Sequence, residues 1–215
     1  MPPIIISLDG NIGAGKSTLI AAIATRLKSV RVIPEPVGDW MTMKNQHGQS
    51  LLQSFYSDQT RWCYTFQNCA LLTRLLDTQK LMNESPDGGI IITERSVLTD
   101  RYVFAEMLHS KGKMDDMEWN LYMKWYDHYA KDIPVRGVIY LTTSAAISKE
   151  RIGIRGREGE ESIPIEYLTD LDYQHHKWLS ETTLPTLCIS TESGTDIVRQ
   201  IEEWITSTFI VGIVS

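Results

Sequence analysis

Gly10-Asn11-Ile12-Gly13-Ala14-Gly15-Lys16-Ser17-Thr18 fits G-x-x-x-x-G-K-[ST] at every fixed position. The apolar run at residues 4–8 predicts a strand feeding this loop, and the Ala/Leu pattern after it predicts a helix leaving it. In that setting the glycines let successive backbone N–H groups and the helix N-terminus face an anion. Lys16 then reaches the β- and γ-phosphates, and the Ser17 hydroxyl is placed to ligate Mg²⁺. A nucleoside triphosphate such as ATP is the expected ligand, held by Gly10 through Thr18.

Three further groups carry the residue types of phosphate chemistry. Glu35 lies between Pro34 and Pro36, which deny helix and fix an extended backbone, so it is held at the end of a strand over 30–33. Glu94-Arg95-Ser96 directly follows the apolar strand 90–93. Ligands of parallel α/β sheets gather outside the carboxyl ends of the strands, so Glu35 is a candidate catalytic carboxylate and Glu94 an acid able to serve Mg²⁺. Arg151, Arg155 and Arg157, interspersed with Gly153, Gly156 and Gly159, predict a mobile basic segment leaving a helix that starts near 145. Such a segment closes over transferring phosphates and excludes water.

The elements that must position these groups follow from periodicity. Helices are expected at 16–28, around 51–56, at 60–82, after Thr99 as a cap, at 114–129, from Pro164, and at 197–209. Strands are expected at 30–33, 90–93, 137–141 and 186–190 in addition to the first. Gln67 and Arg74 stand two helical turns apart, so both project from one face of the 60–82 helix; for Arg74 a purely structural ion pair is the alternative. Aromatic residues around the 60–82 and 114–129 helices suggest a second buried face, hence a dimer seam.

The chain has 215 residues, enough for one α/β domain, here 1–209, followed by an apolar tail at 210–215. A net charge of −6 indicates no general attraction to nucleic acid or anionic membrane, so any phosphate site must be locally basic. Cys63, Cys69 and Cys188 lack metal-ligand spacing and are expected to be buried free thiols in a reducing compartment. No window reaches the ~18 apolar residues of a membrane span, and the first strand begins too early for a signal or transit segment, so a soluble cytoplasmic protein is expected.

With these residues in place, the chain resembles the cellular deoxyribonucleoside kinases, in particular the deoxycytidine and deoxyguanosine kinase branch. The match runs from Ile4 to about Ile189. It rests on the loop Gly10 to Ser17, Pro34-Glu35-Pro36-Val37, the stretch from Arg61-Trp62 to Phe66-Gln67, Glu94-Arg95-Ser96, Asp100-Arg101-Tyr102, and Arg155-Gly156-Arg157 leading to Ile163-Pro164. The resemblance implies a P-loop kinase with a five-stranded parallel sheet surrounded by helices and an arginine-rich lid. It implies transfer of the γ-phosphate of ATP to the 5′-hydroxyl of a deoxyribonucleoside with Mg²⁺, in nucleotide salvage, by a homodimer. By the same resemblance Glu35 is the base facing the 5′-hydroxyl, Arg95 holds that hydroxyl and the carboxylate, and Glu94 is the acid on the Mg²⁺ side. Tyr56 and Glu160 grip the sugar 3′-hydroxyl, and Gln67 reads the base edge with Trp40, Phe66 and Phe104 around the ring. Arg74 and Asp100 select the base, while Arg155 and Arg157 act on phosphate and Arg151 on the donor's base. The stretch 39–59 and the tail depart from the family pattern.

An ionised Asp100 beside Arg74 accepts hydrogen bonds, which suits the exocyclic amine of cytosine or adenine and repels a thymine carbonyl. Deoxycytidine or a purine deoxynucleoside is therefore expected over thymidine. A nucleoside monophosphate kinase shares the loop and lid, but its acceptor phosphate would meet Glu35 with few cations beyond Arg95. A GTP switch or regulatory ATPase shares only the loop, and no N-K-x-D run occurs late in the chain.

Overall fold

The computed structural model describes residues 2–192 and 194–210. Strand β1 (Ile4–Gly10) is the axis of the fold, since helices cover both faces of its sheet and an apolar run satisfies both. It pairs in parallel with β3 (Ile90–Glu94) on one side and β4 (Val135–Thr142) on the other. Beyond them, β2 (Val30–Ile33) pairs with β3 and β5 (Thr186–Ser190) with β4, all parallel, in the order β2-β3-β1-β4-β5. Leu8 stands opposite Glu94, Gly10 opposite Leu141, and Ile33 opposite Thr93. That register brings the phosphate loop, Glu35 and the Glu94-Arg95-Ser96 turn to one edge of the sheet.

Alternation along β1 sends Ile6 and Leu8 to a core shared with α1 (Lys16–Arg26) and α10 (Ile197–Ile205). The opposite face is covered by α4 (Gln59–Asn83), α7 (Asp116–Trp125) and α9 (Ile165–Glu181), whose Phe66, Leu71, Tyr122, Leu168 and Leu171 are buried together. Short helices α2 (Val37–Thr42) and α3 (Leu51–Ser57) stand beside α4. The 39–59 stretch thus contains one more helix than expected, begun at the end of the Pro34-Glu35-Pro36 turn.

Three local readings need correction. Thr99 does not cap the helix after β3. Ser96 is the cap of α5 (Val97–Thr99), and Thr99 returns its hydroxyl to the Ser96 N–H at 3.0 Å. From there the chain runs through a π-turn at Asp100–Ala105 into α6 (Glu106–Ser110), and a second π-turn, Tyr126–Ala130, extends α7. The arginines 151, 155 and 157 do not leave a helix together: α8 (Ala145–Arg155) holds the first two and ends on Gly156 at φ 60°, before Arg157. The thiols are not all buried, for Cys188 is exposed and Cys69 half-buried.

Helix α10 continues as a π-turn at Thr206–Ile210, whose Phe209 lies with Trp204 against Gly137. A Cβ at Gly137 would come within 2.8 Å of the Phe209 ring, so β4 needs glycine there. Residues 211–215 of the expected tail lie outside the described residues. No described helix is long and apolar enough to cross a membrane.

Candidate active site

The phosphate loop is shaped by its neighbours as much as by its glycines. Gly13 has φ 82°, and a Cβ there would lie 2.5 Å from the Ser148 carbonyl oxygen, so the α8 backbone rests directly on the loop. Asn11 donates its side-chain amide to the Leu168 carbonyl of α9 at 2.8 Å and accepts from the Ile12 N–H. Lys16 is buried and donates to the carbonyls of Gly10 and Asn11 at 3.2 and 2.8 Å, so the loop holds its ammonium in place. Burial, helped by the positive charge of Arg95, lowers the Lys16 pKa to about 7 against the pull of Glu94, Glu35 and Asp9.

Beside the loop lies a cluster of buried charges. Arg95 donates to Glu35 Oε1 at 2.5 Å and to the Gly10 carbonyl at 3.3 Å. Arg74 donates from Nε to Asp100 Oδ2 at 2.9 Å and from Nη1 to the Glu94 carbonyl at 2.7 Å, and its Nη2 stands 3.5 Å from Glu35. Burial alone would raise the Glu35 pKa, but Arg95, Arg74 and Lys16 outweigh it and hold the carboxyl at about 2. Burial likewise works against the charge of Arg74, yet Asp100 and Glu35 bind its proton more tightly than usual. Arg74 is thus an ion-pair partner of Asp100, and it also lines the cavity.

An aromatic chamber stands over these charges. Phe66 packs edge-on to Trp40 at 5.2 Å and stacks on Phe55 at 4.5 Å, while Phe104 lies under the Arg95 guanidinium at 4.9 Å. Trp40 is fixed by its indole N–H on Thr73 Oγ1 at 3.1 Å. Gln67 is buried and its Oε1 has no hydrogen-bond partner, and the residue lines the same cavity as Phe66 and Trp40. Tyr56 lines the same space, edge-on to Tyr167 at 6.4 Å.

The basic segment is a paired structure. Glu160, buried in the 3₁₀ turn Glu160–Ser162, accepts from Arg155 through Oε2 and from Arg157 through Oε1, the latter at 2.8 Å. Lys149 of α8 donates to the carbonyls of Glu161 and Ile163 and fastens the turn to the helix. Arg151 reaches Thr191 Oγ1 at 3.2 Å beyond the end of β5.

These groups border a single cavity of about 660 Å³ running from the phosphate loop to the aromatic chamber. A cradle for phosphates at one end and a flat, ring-sized, hydrogen-bonding chamber at the other describe a site that joins a triphosphate to a small planar acceptor. Comparison of the sequence with protein families bears on that description. The profile of the deoxynucleoside kinase family matches residues 6–208. The chain belongs to that family. It is 35% identical to deoxycytidine kinase of Homo sapiens over 200 residues, 84% of this chain and 77% of that protein. Deoxycytidine kinase 2 of Gallus gallus is 37% identical over 198 residues, 83% of this chain and 75% of the relative. The mitochondrial deoxyguanosine kinase of Xenopus laevis is 30% identical over 195 residues, 83% and 74% of the two chains. The protein is a deoxynucleoside kinase of the deoxycytidine and deoxyguanosine kinase branch, with the α/β fold of P-loop kinases.

Within this kinase, every expected site residue borders the cavity except Gly10 and Asn11. Those two shape the loop from behind, Gly10 against Leu141 and Asn11 on α9. The residues fit a bound Mg²⁺. Ser17 Oγ donates to Glu94 Oε1 at 2.9 Å, and the buried Glu94 Oε2 has no partner. Among the described residues no group of three His, Cys, Asp or Glu converges on a metal. Sequence reasoning missed Leu19, Ala22, Leu52, Ala70, Leu141, Ile154, Thr191 and Ile197 in the cavity wall. Ala70 alone had a signal, lying one helical turn from both Gln67 and Arg74.

Proposed function

We propose that this kinase transfers the γ-phosphoryl group of ATP to the 5′-hydroxyl of deoxycytidine or a purine deoxynucleoside, with thymidine a poor substrate, in nucleotide salvage. The observation that carries the reading is Glu35, held ionised between Arg95 and Arg74 where the phosphate loop meets the aromatic chamber.

The loop from Gly10 to Thr18 binds the donor phosphates through backbone N–H groups, Lys16 and the helix N-terminus. Ser17 and Glu94 would hold Mg²⁺, which when bound would neutralise charge on the phosphates. With a pKa near 2, Glu35 cannot ionise an alcohol beforehand. It accepts the hydroxyl proton in a hydrogen bond, aims the oxygen at phosphorus, and takes the proton late, as bonding to phosphorus develops. Arg95 keeps Glu35 in place. Arg155 and Arg157 exchange Glu160 for the transferring phosphoryl group, Arg151 meets the donor base, and Glu160 with Tyr56 receives the sugar 3′-hydroxyl. The unpartnered Gln67 oxygen and the Asp100 carboxylate face the base edge, with Trp40, Phe66 and Phe104 around the ring. Arg74 braces Asp100 for that contact.

The enzyme works as a cytoplasmic homodimer with one kinase domain, 1–209, per chain. Leu72 and Leu76 of α4 and Leu121 and Trp125 of α7 are exposed on helices that touch, which supports an apolar seam between copies. Sedimentation at micromolar concentration is expected to give twice the 24.5 kDa chain mass. The central test is turnover of labelled ATP against all four deoxynucleosides. The expected result is kcat/KM for thymidine at least ~10² below the best substrate, and comparable rates on thymidine and deoxycytidine would overturn the base assignment.

A further inference from the structure

Arg95 is, among the described residues, the one residue other than glycine with positive φ, at 60°. A residue bearing a Cβ is strained there, so surrounding bonds must hold it. The Arg95 N–H donates to the Leu8 carbonyl at 2.9 Å, and the next N–H, of Ser96, to Thr99 Oγ1 at 3.0 Å. The Thr99 hydroxyl donates to Asp9 Oδ1 at 2.5 Å, and Ser7 Oγ donates to the other oxygen, Oδ2, at 2.6 Å. Ser7, Asp9, Ser96 and Thr99 are all buried, and none borders the cavity.

A buried acid is costly, and this one, although its charge acts on Lys16, does not border the cavity where phosphate and base would lie. What it does touch is the far end of the turn that carries Arg95. Leu8 and Asp9 are consecutive on β1, so both anchors of that turn sit on the strand leading directly into the phosphate loop. We propose that Asp9 and Thr99 are positioning residues that, through the Ser96 N–H, hold Arg95 in its left-handed backbone conformation and so aim its guanidinium at Glu35 and the Gly10 carbonyl. The distance between Arg95 and Lys16 is then set by β1 itself and does not drift with the helix that follows the turn. This rests on the reading of Arg95 as the group that steadies Glu35 at the acceptor hydroxyl.

The test is a double-mutant cycle on kcat and KM. Thr99→Val keeps the shape and removes the hydroxyl; it should lower kcat by ~10-fold while KM for ATP stays within about twofold. Thr99→Ser, which restores the hydroxyl, should return kcat to within about threefold of the unmodified enzyme. In an Arg95→Ala background Thr99→Val should cause no further loss, because the residue through which it acts is gone. Equal impairment of the Val and Ser variants, an unaltered kcat in Thr99→Val, or the same loss with and without Arg95 would each overturn the proposal. Normal kcat in Arg95→Ala ends the reading of Arg95 and this proposal with it. An impaired Arg95→Ala beside an innocuous Thr99→Val ends the positioning role alone. Should Thr99→Val fail to fold by circular dichroism, Ser7→Ala removes one donor from Asp9, leaves the turn's own bonds, and must show the same coupling to Arg95.

Discussion

Around the triphosphate cradle, Gly10 to Ser17 present backbone N–H groups and a single lysine, and the loop's shape is kept by packing against α8 and α9. On the acceptor floor, Glu35, Arg74, Arg95 and Asp100 present side-chain charges that neutralise one another away from water. Backbone donors accept any polyphosphate of the right curl, so the loop itself has little means of choosing beyond shape. Desolvated charges leave no such latitude, since a ligand that fails to match them strands a buried group unpaired. On the proposed function the two regions divide the work, one for grip and the other for discrimination.

Breaking the acceptor side at its centre should have the largest effect. Glu35→Gln keeps the shape, removes the proton acceptor and the negative charge between two arginines, and is expected to lower kcat by roughly 10²–10⁴ with nucleoside affinity little changed in direct binding measurements. Replacing Arg74 with Met and Asp100 with Ala together removes the repulsion toward a thymine carbonyl. Steady-state kinetics should show at least ~10-fold loss of kcat/KM on deoxycytidine together with a gain on thymidine; an equal loss on all substrates would leave the pair as a plain ion bridge. On the donor side, Arg157→Ala should slow phosphoryl transfer by about 10-fold or more while nucleoside binding without ATP, followed by calorimetry, is almost intact.

The smallest effect concerns stability. His175 is buried beneath Phe104 and Tyr140 with Nδ1 2.7 Å from the Leu171 carbonyl and Nε2 unpartnered, and burial lowers its pKa to about 3. The unfolded chain takes up this proton as pH falls below about 6.5 and the folded chain does not, so the contribution is complete above that pH and is lost progressively down to about 3. Between pH 7 and pH 5 urea unfolding should show about 2 kcal/mol more loss than in His175→Gln. Glu35 acts in a lower window, its stabilisation being lost only as pH falls from about 4.5 toward 2.

The sheet, its helices and the residues at the strand ends were legible because each depends on local pattern: a β-branched run, a glycine loop, a proline on either side of Glu35. Gln67 and Arg74 were legible because helical phase alone sets their common face. The wiring between elements was not. Glu160 is singled out in the sequence only by the resemblance, and its pairing with two arginines appears only when the turn after α8 brings it against them. The tie of the Asn11 side-chain amide to the Leu168 carbonyl of α9, more than 150 residues on, has no signal in the loop motif. Asp9 carries no motif signal, since its meaning lies with a threonine 90 residues away. The π-turns at Asp100–Ala105 and Tyr126–Ala130 shift helical phase by a residue, which periodicity arguments assume constant.

The placement of β1 between β3 and β4 governs how the enzyme comes into being. The strand that bears the phosphate loop is made before its partners, which begin only at Ile90 and Val135, so no local contact can complete it. Closing such distant pairings is slow, and the apolar β1 stays adhesive until both arrive. A nascent chain that has not yet delivered β4 thus carries the glycine-lysine signature without the cradle, and nucleotide can select for the finished sheet but cannot template its first half.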